Sequence, residues 1–267
     1  MELKGKAALI TGGNSGIGEA IAYALAEKGT EVLISGRRKE QNLEVAQAIS
    51  KKTGTRVEAV TADVSLEEDC DMMVNRTIEL FGKIDICVNS AGIFSYRRLT
   101  ENQYVENELL TTGPEFSELS TEIFDQVLKT NLYGAFWCSR AAFNAMRKNK
   151  LSSPDDIRGY IINISSVVGL EAYNRGSGGG VYSASKFGMM SLNQSMSGSG
   201  QKELIKVTAI CPAMVATPMT DEWRSNNSKE GDEFIEPEDV AETVLYLTRL
   251  SRAVWPVQEV LPRREAE

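Results

Sequence analysis

The sequence predicts an α/β fold in which a parallel sheet is covered by helices on both faces. Three observations predict it. Short apolar runs of strand length alternate with longer segments of helical periodicity. The first run ends in a glycine-rich turn, TGGNSGIG at residues 11–18, which opens directly into a helical pattern. The strand runs are short and mostly apolar, as expected where both faces of a sheet are buried.

Each element follows in order. Residues 7–10 form the first predicted strand. Ile17, Ala20, Ile21, Ala24 and Leu25 then recur at the spacing of one helix face, and Gly29 stops that helix. Residues 32–35 read as the second strand, 40–50 as a helix and 56–61 as the third strand. A helix over 67–81 leads into a strand over 84–89. Beyond it, 121–148 is helical, 160–165 a strand, 182–196 a helix and 206–210 a strand. The final helix, 237–250, carries Pro237 in its first turn, where a missing N–H leaves nothing unpaired. SGSG at 197–200 falls where the helix from 182 would continue. Two glycines there cost about 1 kcal/mol each relative to alanine, which predicts fraying or a break. Polar stretches at 95–120, 149–158 and 223–232 interrupt the pattern, and neither an internal repeat nor a linker divides the chain.

Composition excludes several functions. The chain has 267 residues, 42% hydrophobic and 25% charged, and a formal net charge of −8. That sign argues against a nucleic-acid footprint or a polybasic membrane surface. The longest apolar runs fall far short of a membrane span. The opening MELKGKAALITGG enters a strand at once, without a signal-peptide layout, so a cytoplasmic location is expected. Cys70, Cys87, Cys138 and Cys211 are widely spaced, as buried free thiols of a reducing compartment would be. The chain contains no histidine, so neither a Ser-His-Asp triad nor a histidine metal site can be built, and no metal is expected.

Two local patterns carry chemistry. In the glycine loop the backbone turns sharply and a helix N-terminus points free N–H groups outward, which makes an anion site. Its spacing is Gly12-x-x-x-Gly16-x-Gly18, distinct from G-x-G-x-x-G. In VYSASKFG (181–188), Tyr182 and Lys186 lie four apart and share a helix face. A phenol with a pKa of about 10 can serve as an acid at neutral pH but is a poor base. Bringing that value near 7 takes roughly 4 kcal/mol. A cation about 4 Å away supplies about that much at an effective dielectric near 20, but only about 1 kcal/mol in water. The pair can therefore replace histidine in a sheltered pocket. The plain alternative, a core tyrosine beside a snorkelling lysine, would be preferred if the pair stood alone.

With TGGNSGIG, NSAG (89–92) and YSASK (182–186) in register, nearly the whole chain resembles the short-chain dehydrogenase/reductase family. The resemblance implies a single Rossmann-type, doubly wound domain over 1–267 that both binds the dinucleotide and performs catalysis, with insertions at about 95–120 and 149–158. It implies a nicotinamide cofactor and hydride transfer between that cofactor and a carbonyl or alcohol. Gly12, Gly16, Ile17 and Gly18, with Asn14 and Ser15 in the same loop, would hold the cofactor's phosphates. Asp63 and Val64 would contact adenine. Asn89, Ala91 and Gly92 match the family's N-N-A-G, with Ser90 in place of its second Asn. Pro212, Val215 and Thr217 lie in PAMVAT (212–217), the segment beside the nicotinamide. Ala213 stands there where glycine is usual, which predicts a backbone without positive φ. Ser166, the second serine closing IINISS, would donate to the substrate oxygen. Asn131 in KTNLYG would hold a water beside the lysine. Tyr182 would be the acid/base and Lys186 its partner, also touching the nicotinamide ribose. The glycine-rich stretch between Ser166 and Tyr182 is expected to form a flexible pocket wall, and 95–120 to shape substrate choice.

Cofactor preference is read at the end of the second strand, VLISGRR. NAD sites place Asp or Glu there to bind the ribose hydroxyls. This chain has Gly36, then Arg37 and Arg38, so a 2′-phosphate is expected to find room and charge. NADP(H) is preferred over NAD(H) on this reading. The partners implied are a small-molecule carbonyl or alcohol and further copies of the chain, as a homodimer or homotetramer. A catalytically silent NADP(H)-sensing regulator is the alternative, though the intact Ser166–Tyr182–Lys186 set argues against it. An isomerase or dehydratase on the same scaffold also fits the motifs.

Overall fold

The computed structural model describes residues 1–94, 99–100, 103–104, 119–151, 153, 155–171, 179–228 and 232–263. The first half builds β1 (Ala7–Thr11), α1 (Gly16–Glu27), β2 (Glu31–Gly36), α2 (Lys39–Thr53), β3 (Val57–Thr61), α3 (Glu67–Phe81) and β4 (Ile86–Asn89). A two-strand antiparallel pair, β5 (Leu99–Thr100) and β6 (Gln103–Tyr104), lies within the 95–120 stretch. Then come α4 (Thr121–Leu128), a π-helical turn (Lys129–Tyr133), α5 (Gly134–Met146), β7 (Gly159–Ile164), α6 (Gly179–Glu203) and β8 (Ile205–Pro212). α7 (Asp221–Asn227), α8 (Pro237–Arg249) and β9 (Gln258–Leu261) follow.

Seven strands form one sheet in the order β3-β2-β1-β4-β7-β8-β9, and every neighbouring pair is parallel. The order reverses between β1 and β4. Their carboxyl ends therefore splay apart there and leave the crevice in which open α/β sheets bind ligands. The apolar strands bury both faces. One core joins Ile10, Val88 and Ile162 to Ile21 and Leu25 of α1 and Val240 and Val244 of α8. The other joins Leu9, Cys87 and Ile161 to Met73 of α3 and Cys138 and Met146 of α5. All four cysteines are free and buried, as expected.

The elements read from the sequence are present, with shifted ends and one correction. α6 does not break at SGSG but runs through Gly198 and Gly200 to Glu203. A Cβ on Gly200 would collide with the Ile205 carbonyl oxygen, so the glycine lets the helix lie against the start of β8. Tertiary packing overrides propensity there. The helix is followed by Leu204 at φ 58, the one non-glycine residue with positive φ among those described. Ala213 accordingly avoids positive φ. β9 and α7 escaped the sequence reading. β9, QEVL, is an edge strand whose side chains are all at least partly exposed, so it lacks an apolar run. α7 lies in a polar stretch without helical periodicity.

Candidate active site

The glycine loop is shaped by close backbone contact. Gly12 has φ 65, and a Cβ there would come within 2.9 Å of the Ala91 Cα. A Cβ on Gly18 would collide with the Gly12 carbonyl oxygen, so glycine alone lets α1 start this near the loop. The Thr11 hydroxyl accepts from the backbone N–H groups of Ser90 and Ala91, both at 3.2 Å, and ties the loop to the NSAG segment across the crevice. Ser15 precedes α1 in extended conformation and makes no side-chain cap bond. The first N–H groups of α1 therefore keep their capacity for an anion, which fits a pyrophosphate. Ile17 packs on the core, and Thr217 approaches Gly16 from the segment after β8. Val215 pairs with Ile235 and fixes that segment beyond Pro212.

At the end of β2, Arg37 and Arg38 are exposed where the chain turns into α2, and Arg38 is the residue preceding that helix. The side of Gly36 on which a side chain would project is filled. The Asn14 side-chain amide donates to the Asn42 side-chain oxygen at 2.7 Å, and this pair occupies the position that a Cβ on Gly36 would take. The Asp63 carboxylate accepts from the Ser65 backbone N–H at 2.9 Å and its hydroxyl at 2.8 Å, while Val64 is buried.

Asn89 is buried and turned into the protein. Its amide donates to the Ser139 hydroxyl and to the Asn163 side-chain oxygen, each at 2.8 Å. Asn163 donates to Asn193 of α6 at 2.9 Å, and Asn193 donates to the Val257 carbonyl at 2.8 Å. This row of amides passes from β4 through β7 to α6 and the start of β9.

Ser166, Tyr182, Lys186 and Asn131 converge beside the crevice. Ser166 follows β7 and opens a short 3-10 turn, Val167–Gly169. Tyr182 and Lys186 sit one turn apart near the start of α6, with the Lys186 nitrogen 5.5 Å from the centre of the Tyr182 ring. Burial pushes the Tyr182 phenol up to about 12, and the Ser166 hydroxyl, its hydrogen-bond partner, works against that shift. Burial brings the Lys186 ammonium down to about 8, opposed by the charge interaction with Cys211. Its nitrogen donates to the Ile164 carbonyl at 2.8 Å. The phenol is thus held in its acid form at neutral pH. Asn131 sits in the π-helical turn, a bulge of the kind frequent at functional sites. Its side chain accepts from the Ile93 N–H at 2.8 Å and donates to the Ile93 carbonyl at 2.9 Å and the Ser185 hydroxyl at 3.2 Å. Gly92 lies beside it, so a Cβ there would stand 3.4 Å from the Asn131 side-chain oxygen and 3.9 Å from the Lys186 nitrogen.

Three neighbours were not read from sequence. Phe94 packs edge-on against Tyr182 with ring centres 4.9 Å apart. Cys211 lies close enough to Lys186 to affect its charge. Asn42 anchors the glycine loop from α2. Only Asn42 left a signal, as an amide on the buried face of a predicted helix. The insertion residues 105–118 and the pocket-wall residues 172–178 lie outside the described residues. Among those described, no His, Cys, Asp and Glu group could hold a metal ion, and no helix is long and apolar enough to cross a membrane.

An anion loop at a sheet switch point, with a tyrosine–lysine pair across the crevice, defines the class of dinucleotide-dependent α/β oxidoreductases. Comparison with known proteins narrows it. The short chain dehydrogenase family model matches residues 6–228. An uncharacterised oxidoreductase of Staphylococcus aureus (strain USA300) is 32% identical over 244 residues, covering 91% of both chains. One from Staphylococcus saprophyticus is 31% identical over 246 residues, covering 92% of both. Among solved structures, a short-chain dehydrogenase/reductase from Mycobacterium marinum superposes with a TM-score of 0.80 at 25% identity, covering 97% of this chain and 95% of the other. A short chain dehydrogenase from Burkholderia cenocepacia, solved in complex with NADP, gives 0.78 at 26% identity, covering 98% and 97%. The chain belongs to the short-chain dehydrogenase/reductase family, whose members bind a nicotinamide cofactor, and it is an oxidoreductase.

Proposed function

We propose that the protein transfers a hydride between NADP(H) and a small carbonyl or alcohol substrate, with Tyr182 as the acid/base. The observation that carries this reading is the convergence of Ser166, Tyr182 and Lys186, with the Lys186 nitrogen 5.5 Å from the centre of the Tyr182 ring and bonded to the Ile164 carbonyl just before Ser166. A bound nicotinamide supplies or accepts the hydride at the substrate carbon. Tyr182 gives its proton to the substrate oxygen as negative charge develops there, and Ser166 donates to the same oxygen. A phenol held near 12 by burial is fully protonated at neutral pH, as reduction requires. Lys186 keeps positive charge below the phenol and favours the phenolate once the proton has gone. Asn131 holds the Ile93 backbone and the hydroxyl of Ser185, the residue preceding Lys186.

The NADP(H) preference rests on Arg37 and Arg38 following a residue without a side chain, and the NADP complex of the Burkholderia relative supports it. Gly12, Asn14, Ser15, Gly16, Ile17 and Gly18 form the loop for the phosphates in this reading, with Asp63 and Val64 at the adenine and Asn89, Ala91 and Gly92 in the cofactor-binding NSAG segment. Exposed Tyr133 and Phe136 on the α5 side and Phe187 on α6 support a homo-oligomer formed through those helices. A soluble, cytoplasmic, single-domain enzyme is the setting we infer. The test is NADPH oxidation across a panel of ketones, repeated with NADH and with Arg37→Ala. Turnover with NADPH, weaker turnover with NADH, and a loss confined to NADPH in the variant are expected. Equal use of both cofactors by the wild type would overturn the preference.

A further inference from the structure

We propose that the Asn14–Asn42 amide pair determines cofactor specificity by exclusion, because it fills the space into which an acidic reader of the ribose hydroxyls at position 36 would have to project. This deepens the NADP(H) reading above and rests on it. Dinucleotide sites that take NAD hold the ribose with an Asp or Glu at the end of the second strand. In this chain that end is Gly36, whose φ is not in the left-handed region, so its backbone would accept a side chain. The obstacle lies beside it. A Cβ on Gly36 would sit 2.6 Å from the Asn14 amide nitrogen and 2.8 Å from the Asn42 side-chain oxygen.

Neither amide is a loose end that could swing aside. Asn14 and Asn42 are 5% and 1% exposed. The Asn42 nitrogen donates to the carbonyl oxygens of Gly36 at 2.8 Å and Val60 at 3.1 Å, anchoring α2 to both β2 and β3. Its oxygen accepts from Asn14 at 2.7 Å. The Asn14 carbonyl in turn accepts from the Gln41 side chain at 2.9 Å. A side chain at 36 would have to break a buried amide–amide bond and displace the glycine loop that receives the phosphates. Asn14 thus acts on the cofactor through the shape of the site, as a positioning residue, with its amide committed to Asn42.

Two measurements test this. The first is thermal denaturation of the free protein and does not depend on activity. Gly36→Ala is expected to lower Tm by about 4 °C or more in the wild-type background, on the scale of one significant lost contact in a chain of this size. In the Asn14→Ala/Asn42→Ala background it is expected to lower Tm by less than half as much. Asn14→Ala alone, which leaves Asn42 its two carbonyl partners, serves as a second background if the double variant does not fold. No loss in the wild type, or equal losses in all backgrounds, would overturn the proposal. The second is titration of NAD+ and NADP+ by tryptophan fluorescence. Gly36→Asp alone is expected to leave NAD+ affinity within about twofold of wild type, whereas Gly36→Asp with Asn14→Ala/Asn42→Ala gains about tenfold, or 1.4 kcal/mol. A tenfold gain from Gly36→Asp alone, or none from the combination, would overturn it. Equal wild-type affinity for the two cofactors would remove the NADP(H) reading, while the melting experiment would still decide whether the amide pair excludes a side chain at 36.

Discussion

The Lys186 ammonium donates to the main-chain oxygen of Ile164 at 2.8 Å, which ties the helix bearing Tyr182 to the end of the strand that leads into Ser166. Ile164 is the last residue of β7, and Ser166 lies two residues further on. This bond therefore helps to fix the position of Tyr182 relative to Ser166. Lys186 is 4% exposed, so its charge is largely removed from water and acts on the pocket with little screening.

That burial has a measurable consequence for stability. Lys186 is brought down from 10.5 to about 8 in the folded protein. A folded-state value below the unfolded one means that folding opposes protonation. The cost is fully present below about pH 8 and is relieved as pH rises toward 10.5. The stability of wild type minus that of Lys186→Met should therefore rise across this window, by an amount on the order of 3 kcal/mol if the full difference is realised. Tyr182 has the opposite sign. Its value is raised from 10 to about 12, so its contribution is present below pH 10 and lost above it, in both proteins. Urea denaturation at a series of pH values, with both proteins in parallel, gives the difference directly. A flat difference between pH 8 and 10 would show that Lys186 does not titrate low.

Tyr182→Phe should remove turnover while leaving cofactor affinity nearly unchanged. On the proposed mechanism the phenolic proton is needed as charge develops on the substrate oxygen, whereas the ring contributes packing against Phe94 in both proteins. Loss of more than tenfold in kcat, about 1.4 kcal/mol, is expected in steady-state assays with NADPH. Retention of a tenth or more of wild-type kcat would show that another group supplies the proton.

Most of the sheet was legible because its strands are short apolar runs separated by strong helical periodicity, and the turn into the first helix because glycines recur there at fixed offsets. Tyr182 and Lys186 are visible in the sequence as a pair on one helix face, whereas Ser166, on another element, is singled out only by its place at a strand end and by the family resemblance. What depends on contact between distant segments was not legible. Asn42 lies 28 residues from Asn14, and no local pattern says that their amides meet over Gly36. Nor does the sequence show that packing from α2 fills the side of Gly36 on which a side chain would stand. Asn89 illustrates the same limit, since nothing local in the sequence says that Ser139 and Asn163 receive its amide.

The amide row through the sheet should be a major source of stability near the site. Asn163 uses its oxygen for Asn89 and its nitrogen for Asn193, and all three are buried. Asn163→Ala would leave a buried donor on Asn89 and a buried acceptor on Asn193 without this partner, and an unmet buried polar group costs about 1–3 kcal/mol. A loss of at least about 2 kcal/mol in urea denaturation is expected for Asn163→Ala. Asn163→Asp at neutral pH should be worse, because it replaces the donor to Asn193 with a buried charge. A loss under about 0.5 kcal/mol, the range of ordinary surface substitutions, would show that the row is dispensable.

The two glycines of SGSG give the sharpest comparison, since they lie two residues apart in one helix and have opposite surroundings. A Cβ on Gly198 would meet nothing within 4 Å, whereas one on Gly200 would collide with the Ile205 carbonyl oxygen. Propensity alone treats them alike, each gaining about 1 kcal/mol on change to alanine. Packing separates them. Gly198→Ala should stabilise by up to about 1 kcal/mol, through reduced freedom of the unfolded chain and better helix propensity. Gly200→Ala should destabilise by about 1–3 kcal/mol, because α6 must move away from the start of β8 to admit the methyl group. β8 pairs with β7 along its length, and α6 carries Tyr182 and Lys186, so that movement should also lower kcat in Gly200→Ala while Gly198→Ala keeps wild-type turnover. Equilibrium denaturation and steady-state kinetics on the two variants test both claims. Stabilisation by both substitutions would mean that propensity, not contact with Ile205, governs the end of this helix.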